Sequence, residues 1–232
     1  MTRLVSFGPE IWLAEGPVVP FALGFPYPTR MAMIRLGNGE LFVWSPVALD
    51  EALRAEVDAL GRVAHLVSPN KIHHLFLGEW KKAYPQARLY ASPGLPRRRR
   101  DLAFDAVLGD APEPAWKDEI DQVALAGNLF MTEIVFFHRK SRTALVTDYI
   151  QNFRRDWFKG WRNWVARLDG LVQPQSSAPR ELRLIYWNRR KGRRALARIL
   201  AWEPEKLVVA HGDLVQSGGT AFIRHGFRWL QH

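Results

Sequence analysis

SPNKIHHLFLGEW, residues 68–80, is the stretch on which the reading of this chain turns. Two adjacent histidines, His73 and His74, stand just after the apolar run His65-Leu66-Val67 and just before a helix-like segment. An imidazole in such a loop can ligate a metal, cap the following helix or bond a backbone carbonyl. Which of these applies depends on Asp148 and His211, far downstream.

The chain has 232 residues, a length that suits one large domain or two small ones, and 47% of them are hydrophobic. That is enough for a substantial core and too much for a disordered chain. No apolar run approaches the roughly 20 residues that span a bilayer, so no membrane partner is expected. The opening MTRLVSFGPEIW lacks a continuous apolar segment and a small-residue cleavage site; no signal peptide and a cytoplasmic location are the expectations. The absence of cysteine excludes disulfides, thiolate ligands and a cysteine nucleophile, leaving histidine, carboxylate and water for any metal. The formal charge is +10. Arginine clusters at Arg97 to Arg100 and Arg189 to Arg194 read as a solvated basic surface, with nucleic-acid association as the minority reading. Ten tryptophans are present; Trp157, Trp161 and Trp164 recur at helical spacing and read as a packing face.

Hairpin-like strands at the start, with Gly37-Asn38-Gly39 as turn residues, lead into a helix that Asp50 can cap and Gly61 can stop. A buried strand VAHLV, a helix over Leu75 to Ala83, a strand ARLYAS and a short basic helix or loop follow. Two apolar arms around His138-Arg139-Lys140-Ser141-Arg142 form a second hairpin signal. Then come the tryptophan-rich helix, a turn-rich linker, a basic helix to about Trp202, the strand KLVVA and a closing helix from about Gly219 to Leu230. Two batches of strands, each followed by helices, predict an α/β fold. The expected form is a four-layer αββα sandwich of two mixed sheets with helices outside, and ligands collected on the loops at one edge.

That order resembles the metallo-β-lactamase fold superfamily and, more closely, a domain-of-unknown-function family assigned to that fold. The resemblance is carried by SPNKIHHLFLGEWKKAYPQARLYASPG, EIVFFHRKSRTALVTDYIQNF and LVVAHGD, which occur in the expected order. It implies one such domain over residues 1–232. The superfamily's usual signature, H-x-H-x-D-H, implies two zinc ions; here it falls on Pro69 to His74. Proline cannot ligate, Lys71 carries a positive charge, and the later histidine falls near Glu133, so the first metal site is expected to be lost. For the second site the resemblance implies His73, His74, Asp148 and His211 as ligands of one zinc, iron or manganese ion, with Asp148 and His211 catalytic. A vestigial cleft without metal is the alternative.

Lys71 is expected either to occupy the place of the lost cation and satisfy Asp148, or to be exposed. Arg139 and Arg142 are candidate anion contacts, and His138 a candidate base or substrate contact, each with a solvated or turn role as the alternative. Ser141 lacks a nucleophile elbow, His65 reads as core, and His225 and His232 carry no motif. The resulting functional expectation is a single-metal hydrolase of a small anionic ester or phosphoester. The alternatives are a metal-free anion-binding protein using the same cleft and a nucleic-acid-associated protein.

Overall fold

A computed structural model describes residues 3–231; Met1, Thr2 and His232 lie outside the described residues. The first batch of strands is β1 (Val5–Gly8), β2 (Ile11–Phe21), β3 (Phe25–Arg35) and β4 (Glu40–Trp44). After it come α1 (Glu51–Leu60), β5 (Arg62–Val67), α2 (Leu77–Ala83), β6 (Arg88–Ala91), α3 (Leu95–Arg98) and β7 (Ala106–Val107). The second batch is β8 (Ile120–Leu125), β9 (Glu133–His138) and β10 (Thr143–Val146). The chain then forms α4 (Trp161–Asp169), α5 (Arg180–Leu184), α6 (Arg189–Ala201), β11 (Lys206–Val209), α7 (Gly219–Gly226) and α8 (Arg228–Gln231).

One sheet has seven strands in the order β1 to β7, and the other has four in the order β11-β10-β9-β8. Both are mixed: β4, β5, β6 and β7 run parallel, as do β10 and β11, while the remaining pairs are antiparallel. The period-2 alternation of strand side chains gives each sheet two apolar faces, so core forms between the sheets and under the helices on either side. In β9, Ile134 and Phe136 turn into the space between the sheets and join Phe42, Trp44, Trp116 and Val208. Val135 and Phe137 point the other way and pack under Leu196, Ile199, Ile223 and Phe227 of the covering helices. The outer face of the large sheet is closed by Leu53 and Val57 of α1 and by Leu77 and Trp80 of α2. This is the expected αββα sandwich.

Local chemistry sets the element ends. The Asp50 carboxylate accepts from the Leu53 N–H at 2.9 Å and caps α1. Gly61 ends α1 at φ 156°, where a Cβ would stand 2.5 Å from the Gly39 carbonyl, so only glycine fits. The closing helix departs from expectation in being two pieces, broken at Phe227. The tryptophan-rich helix departs more sharply. α4 touches the body through buried Ala166, on a small cluster of Phe25, Phe153, Phe158, Leu171 and Val172. Of the expected packing face, Trp157 stacks on Phe153 and donates its indole N–H to the Pro26 carbonyl at 3.0 Å, and Trp161 meets Phe25 edge-on; Trp164 and the outer side of Trp161 are exposed, so the face is packed only in part.

Candidate metal centre and its cavity

Four strands end at one edge of the sandwich. In the large sheet, β4 runs into Ser45 and its parallel neighbour β5 into the loop from Ser68 to His74. In the small sheet, β10 leads to Asp148 and its parallel neighbour β11 to His211. Parallel neighbours deliver their carboxyl ends to the same side, which is where open α/β sheets gather ligands. Residues distant in sequence therefore converge: one ligand atom from each of His73, Asp148 and His211 lies within 4.8 Å of the other two.

The geometry suits a cation. His73 Nε2 stands 3.3 Å from Asp148 Oδ2, and His211 Nε2 stands 3.5 Å from Asp148 Oδ1. A direct charge-assisted hydrogen bond is shorter, about 2.7–2.9 Å. Two ligand atoms about 2.1 Å from a tetrahedral ion stand about 3.4 Å apart. The tautomers agree. His211 Nδ1 lies 2.9 Å from the Pro28 carbonyl, which can only accept, so Nδ1 carries a proton. Nε2 is then the nitrogen that faces the carboxylate, placed either to ligate a cation between them or to donate to Asp148. His73 Nδ1 is held at 2.8 Å by the Ser45 hydroxyl. Ser45 itself sits at φ 50°, a conformation that costs a non-glycine residue energy and is characteristic of functional loops. The three residues could thus hold one ion. Each imidazole already has the outer partner that orients a metal-ligating histidine.

Asp148 is buried, and burial alone would push its carboxyl up. The charges and hydrogen bonds of His73 and His211 outweigh burial and hold it well below the usual carboxylate range. Asn70, fully buried, uses its whole side chain here. Its Nδ2 donates to Asp148 Oδ2 at 2.5 Å and to Thr147 Oγ1 at 2.8 Å, while Oδ1 accepts from the N–H groups of Ile72 and His73. From beneath, the Glu133 carboxylate accepts from the backbone N–H groups of Thr147, Asp148 and Tyr149. Burial, and then the nearby Asp148 charge, push Glu133 up to about 7.

The structure separates the expected site residues into two sets. His73, Asp148 and His211 come together. His74 does not join them: Arg99 Nη1 donates to its carbonyl at 2.8 Å and lies 3.3 Å from its Nδ1. Burial, with the Arg98 and Arg99 charges, lowers His74 to about 4. Successive side chains diverge, and His73 takes the inward direction. Lys71 does not meet Asp148; its ammonium lies 4.1 Å over the Phe130 ring, and Asn70 supplies the donor instead. His138 and Arg142 are not at this edge. They sit at the far end of the β9–β10 pair, where Thr143 is in register with His138. Five residues of strand and loop from Thr143 to Asp148 span about 15 Å. There His138 is buried against the Ser141 hydroxyl, and Arg142 pairs with Glu205 at 2.7 Å. Arg139 is bonded to Asp121 in the same region.

The centre opens into a cavity of about 520 Å³. Its walls include Phe21, Leu23, Phe25, Phe130, Leu182 and Ile185, and its polar groups include Tyr27, Gln151, Asp169 and Glu181. Among the described residues, no lysine or arginine lines it. The anionic substrate expected from the basic composition therefore finds no cationic side chain in this wall. Tyr27 packs edge-on against the His211 ring at 4.9 Å and donates to Gln151 Oε1 at 3.1 Å. Burial, and then the Asp148 charge, push its hydroxyl well up, so it stays protonated. Sequence reasoning missed Ser45, Asn70, Tyr27 and Pro28. Asn70 alone had a local signal, since asparagine commonly accepts from the backbone two residues on.

The fold and the convergence of two histidines and an aspartate at its open edge define a protein of the metallo-β-lactamase fold. Solved structures agree. The FIM-1 metallo-β-lactamase from Pseudomonas aeruginosa in the mono-zinc form is similar at a TM-score of 0.64 and 10% identity, covering 98% of this chain and 94% of that one. A metallo-β-lactamase from Hirschia baltica matches at a TM-score of 0.62 and 15% identity, covering 98% and 96%. The Flv1 flavodiiron core from Synechocystis matches at 0.63 and 12%, covering 99% of this chain and 60% of that one. Identities this low speak to the fold alone. The chain belongs to the family described as Domain of unknown function (DUF4336), whose sequence model matches residues 19–211. No curated protein sequence matches the chain.

Proposed function

We propose that this chain is a single-metal hydrolase acting on an uncharged, largely apolar acyl compound such as a carboxylic ester. The observation that carries the reading is a His73–Asp148–His211 centre facing an apolar cavity that no basic side chain lines. A divalent ion at the centre would supply Lewis acidity and lower the pKa of water toward neutrality. Three protein ligands suit a catalytic ion rather than a closed structural one, and two imidazoles with one carboxylate suit zinc or iron.

The chain's own residues do the rest. Ser45 and Pro28 fix the two imidazoles through their Nδ1 atoms, and Asn70 and Glu133 fix Asp148. The apolar walls favour an apolar acyl group and exclude bulk water, which strengthens polar interactions at the centre. The protonated Tyr27 hydroxyl and the Gln151 amide are among the neutral polar groups available to orient a carbonyl or leaving oxygen. A metal-free anion-binding cleft has less support, because Lys71 and Arg142 both lie away from Asp148.

The test is hydrolysis of a panel of neutral acyl esters of graded chain length, beside phosphoesters, by untagged protein supplied with zinc, iron or manganese. Turnover of the neutral esters, lost by orders of magnitude in His211→Ala and kept in Lys117→Ala, an exposed side chain outside the cavity wall, is expected. Absence of turnover with every metal, or a fully active His211→Ala, would sink the reading.

A further inference from the structure

An apolar stripe at positions i, i+3, i+4 and i+7 of a helix ordinarily faces the core. In α4 that stripe is Trp161, Trp164, Val165 and Leu168, and all four are exposed, Trp164 at 73% and Leu168 at 64%. The stripe is not isolated. The β2–β3 hairpin tip is tied to α4 by Arg162, which donates to the Leu23 carbonyl at 3.0 Å, and Leu23 is itself exposed. Leu184 and Trp187 (80% exposed) stand at and just beyond the end of α5. Leu23, Val165 and Ile185 also line the cavity, so this exposed apolar surface is continuous with the cavity wall. Apolar surface of this extent on one side of a soluble protein marks a contact surface.

Charge identifies the occupant. Residues 154–194 carry twelve arginines and lysines against three acidic residues, so this segment holds a net charge of nine out of the chain's formal +10. On α6, which starts two residues after Trp187, Arg190, Arg193 and Arg194 line a surface groove. Pairing this face with a second copy would bring two such charges together, which electrostatics opposes. Base stacking would use the tryptophans but leave Val165, Leu168, Leu184 and Leu23 without a role. A surface that is apolar beneath and anionic above satisfies both sets. Tryptophan and leucine enter the headgroup–acyl boundary while arginines stay at the charged headgroups.

We infer that this face docks onto an anionic lipid bilayer, with α4 lying in the interface and the cavity mouth turned toward the lipid. No helix of the described residues is long and apolar enough to cross a membrane, so the contact is peripheral. The inference does not rest on the hydrolase reading, because it is tested by binding alone.

The experiment is flotation of the full chain with vesicles of phosphatidylcholine, and with vesicles that also contain about one-third phosphatidylglycerol. Association with the anionic vesicles, weakened by salt, is expected. Trp164→Ser combined with Leu168→Ser should weaken it by about tenfold or more, with an unchanged circular dichroism spectrum. If that double variant misfolds, Arg190→Gln with Arg193→Gln and Arg194→Gln, all on the exposed side of α6, should lower anionic binding alone. Quenching of tryptophan fluorescence by lipids brominated on the acyl chain should fall in the Trp164 variant. No association with anionic vesicles overturns the inference, as does association that neither variant changes. A dimer dissolved by the α4 variant, or binding to single-stranded oligonucleotide, found in place of vesicle binding, also overturns it.

Discussion

The side-chain amide of Asn70 donates to the carboxylate of Asp148 at 2.5 Å, joining a loop of the large sheet to a loop of the small one across 78 residues of chain. The same side chain accepts from two N–H groups of its own loop, including that of His73. It therefore sets the position of one imidazole relative to the shared carboxylate. Asn70→Ala removes all of these bonds. Zinc affinity should fall about 10–100-fold, and stability by about 2–4 kcal/mol, since buried backbone donors and Asp148 lose partners. Competition titration against a chromogenic chelator and denaturant unfolding read the two effects. Wild-type zinc affinity in the variant would remove Asn70 from the centre.

The metal count follows from which side chains converge. Pro69 offers no ligand, and both oxygens of Glu133 are engaged by backbone N–H groups. Elemental analysis after zinc loading should give one ion per chain and no second. His73→Ala and His211→Ala should each abolish stoichiometric binding, whereas His74→Ala should retain it, because His74 faces Arg99. Two zinc ions per chain, or loss of binding in His74→Ala alone, would contradict this geometry.

Gly212 follows His211 at φ 97°, and a Cβ there would meet the Asn152 carbonyl oxygen at 2.1 Å. Gly212→Ala forces that backbone apart, and the same strand end carries the Asn152 N–H bond to the His211 carbonyl. The expected outcome is a loss of about 2–4 kcal/mol in unfolding free energy, together with weakened zinc binding. A variant with unchanged melting and zinc affinity would show that the loop can yield.

His138 gives the chain an acid sensitivity remote from the centre. It is fully buried, and burial, with the Lys140 charge second, lowers its pKa to about 4. Between pH 4 and the ordinary histidine range the unfolded chain binds a proton that the folded chain refuses. Stability should therefore fall as the pH drops from about 7 to about 4, by on the order of 2–3 kcal/mol from this residue. His138→Gln should flatten that part of the profile in unfolding titrations. An unchanged slope would assign the acid sensitivity elsewhere.

The fold was legible because its signals are periodic and local: alternating strands in two batches, a capped α1 and a glycine stop. Of the site, Asp148 and His211 could be placed because each follows an apolar strand of its own at a position that the resemblance to the metallo-β-lactamase fold marks for a ligand. The choice between His73 and His74 could not, since adjacent side chains diverge and only the Arg99 contact shows which one turns away. Asn70 and Glu133 act through bonds to residues more than a dozen positions away. No local pattern in the sequence encodes such bonds. The tryptophan spacing finds the face but not its neighbour: Trp157 packs on Phe153, whereas Trp164 is exposed.

The division of ligands between the two sheets has a mechanical consequence. His73 belongs to a loop of the large sheet, while Asp148 and His211 hang from the small one. An ion shared by the three would act as a clasp across the open rim of the sandwich, and its binding energy would add to the docking of one half on the other. Loading would report that the halves have closed. Stripping the ion would loosen the rim first and leave the packed interior, with Phe42 against Phe136, to hold the halves together.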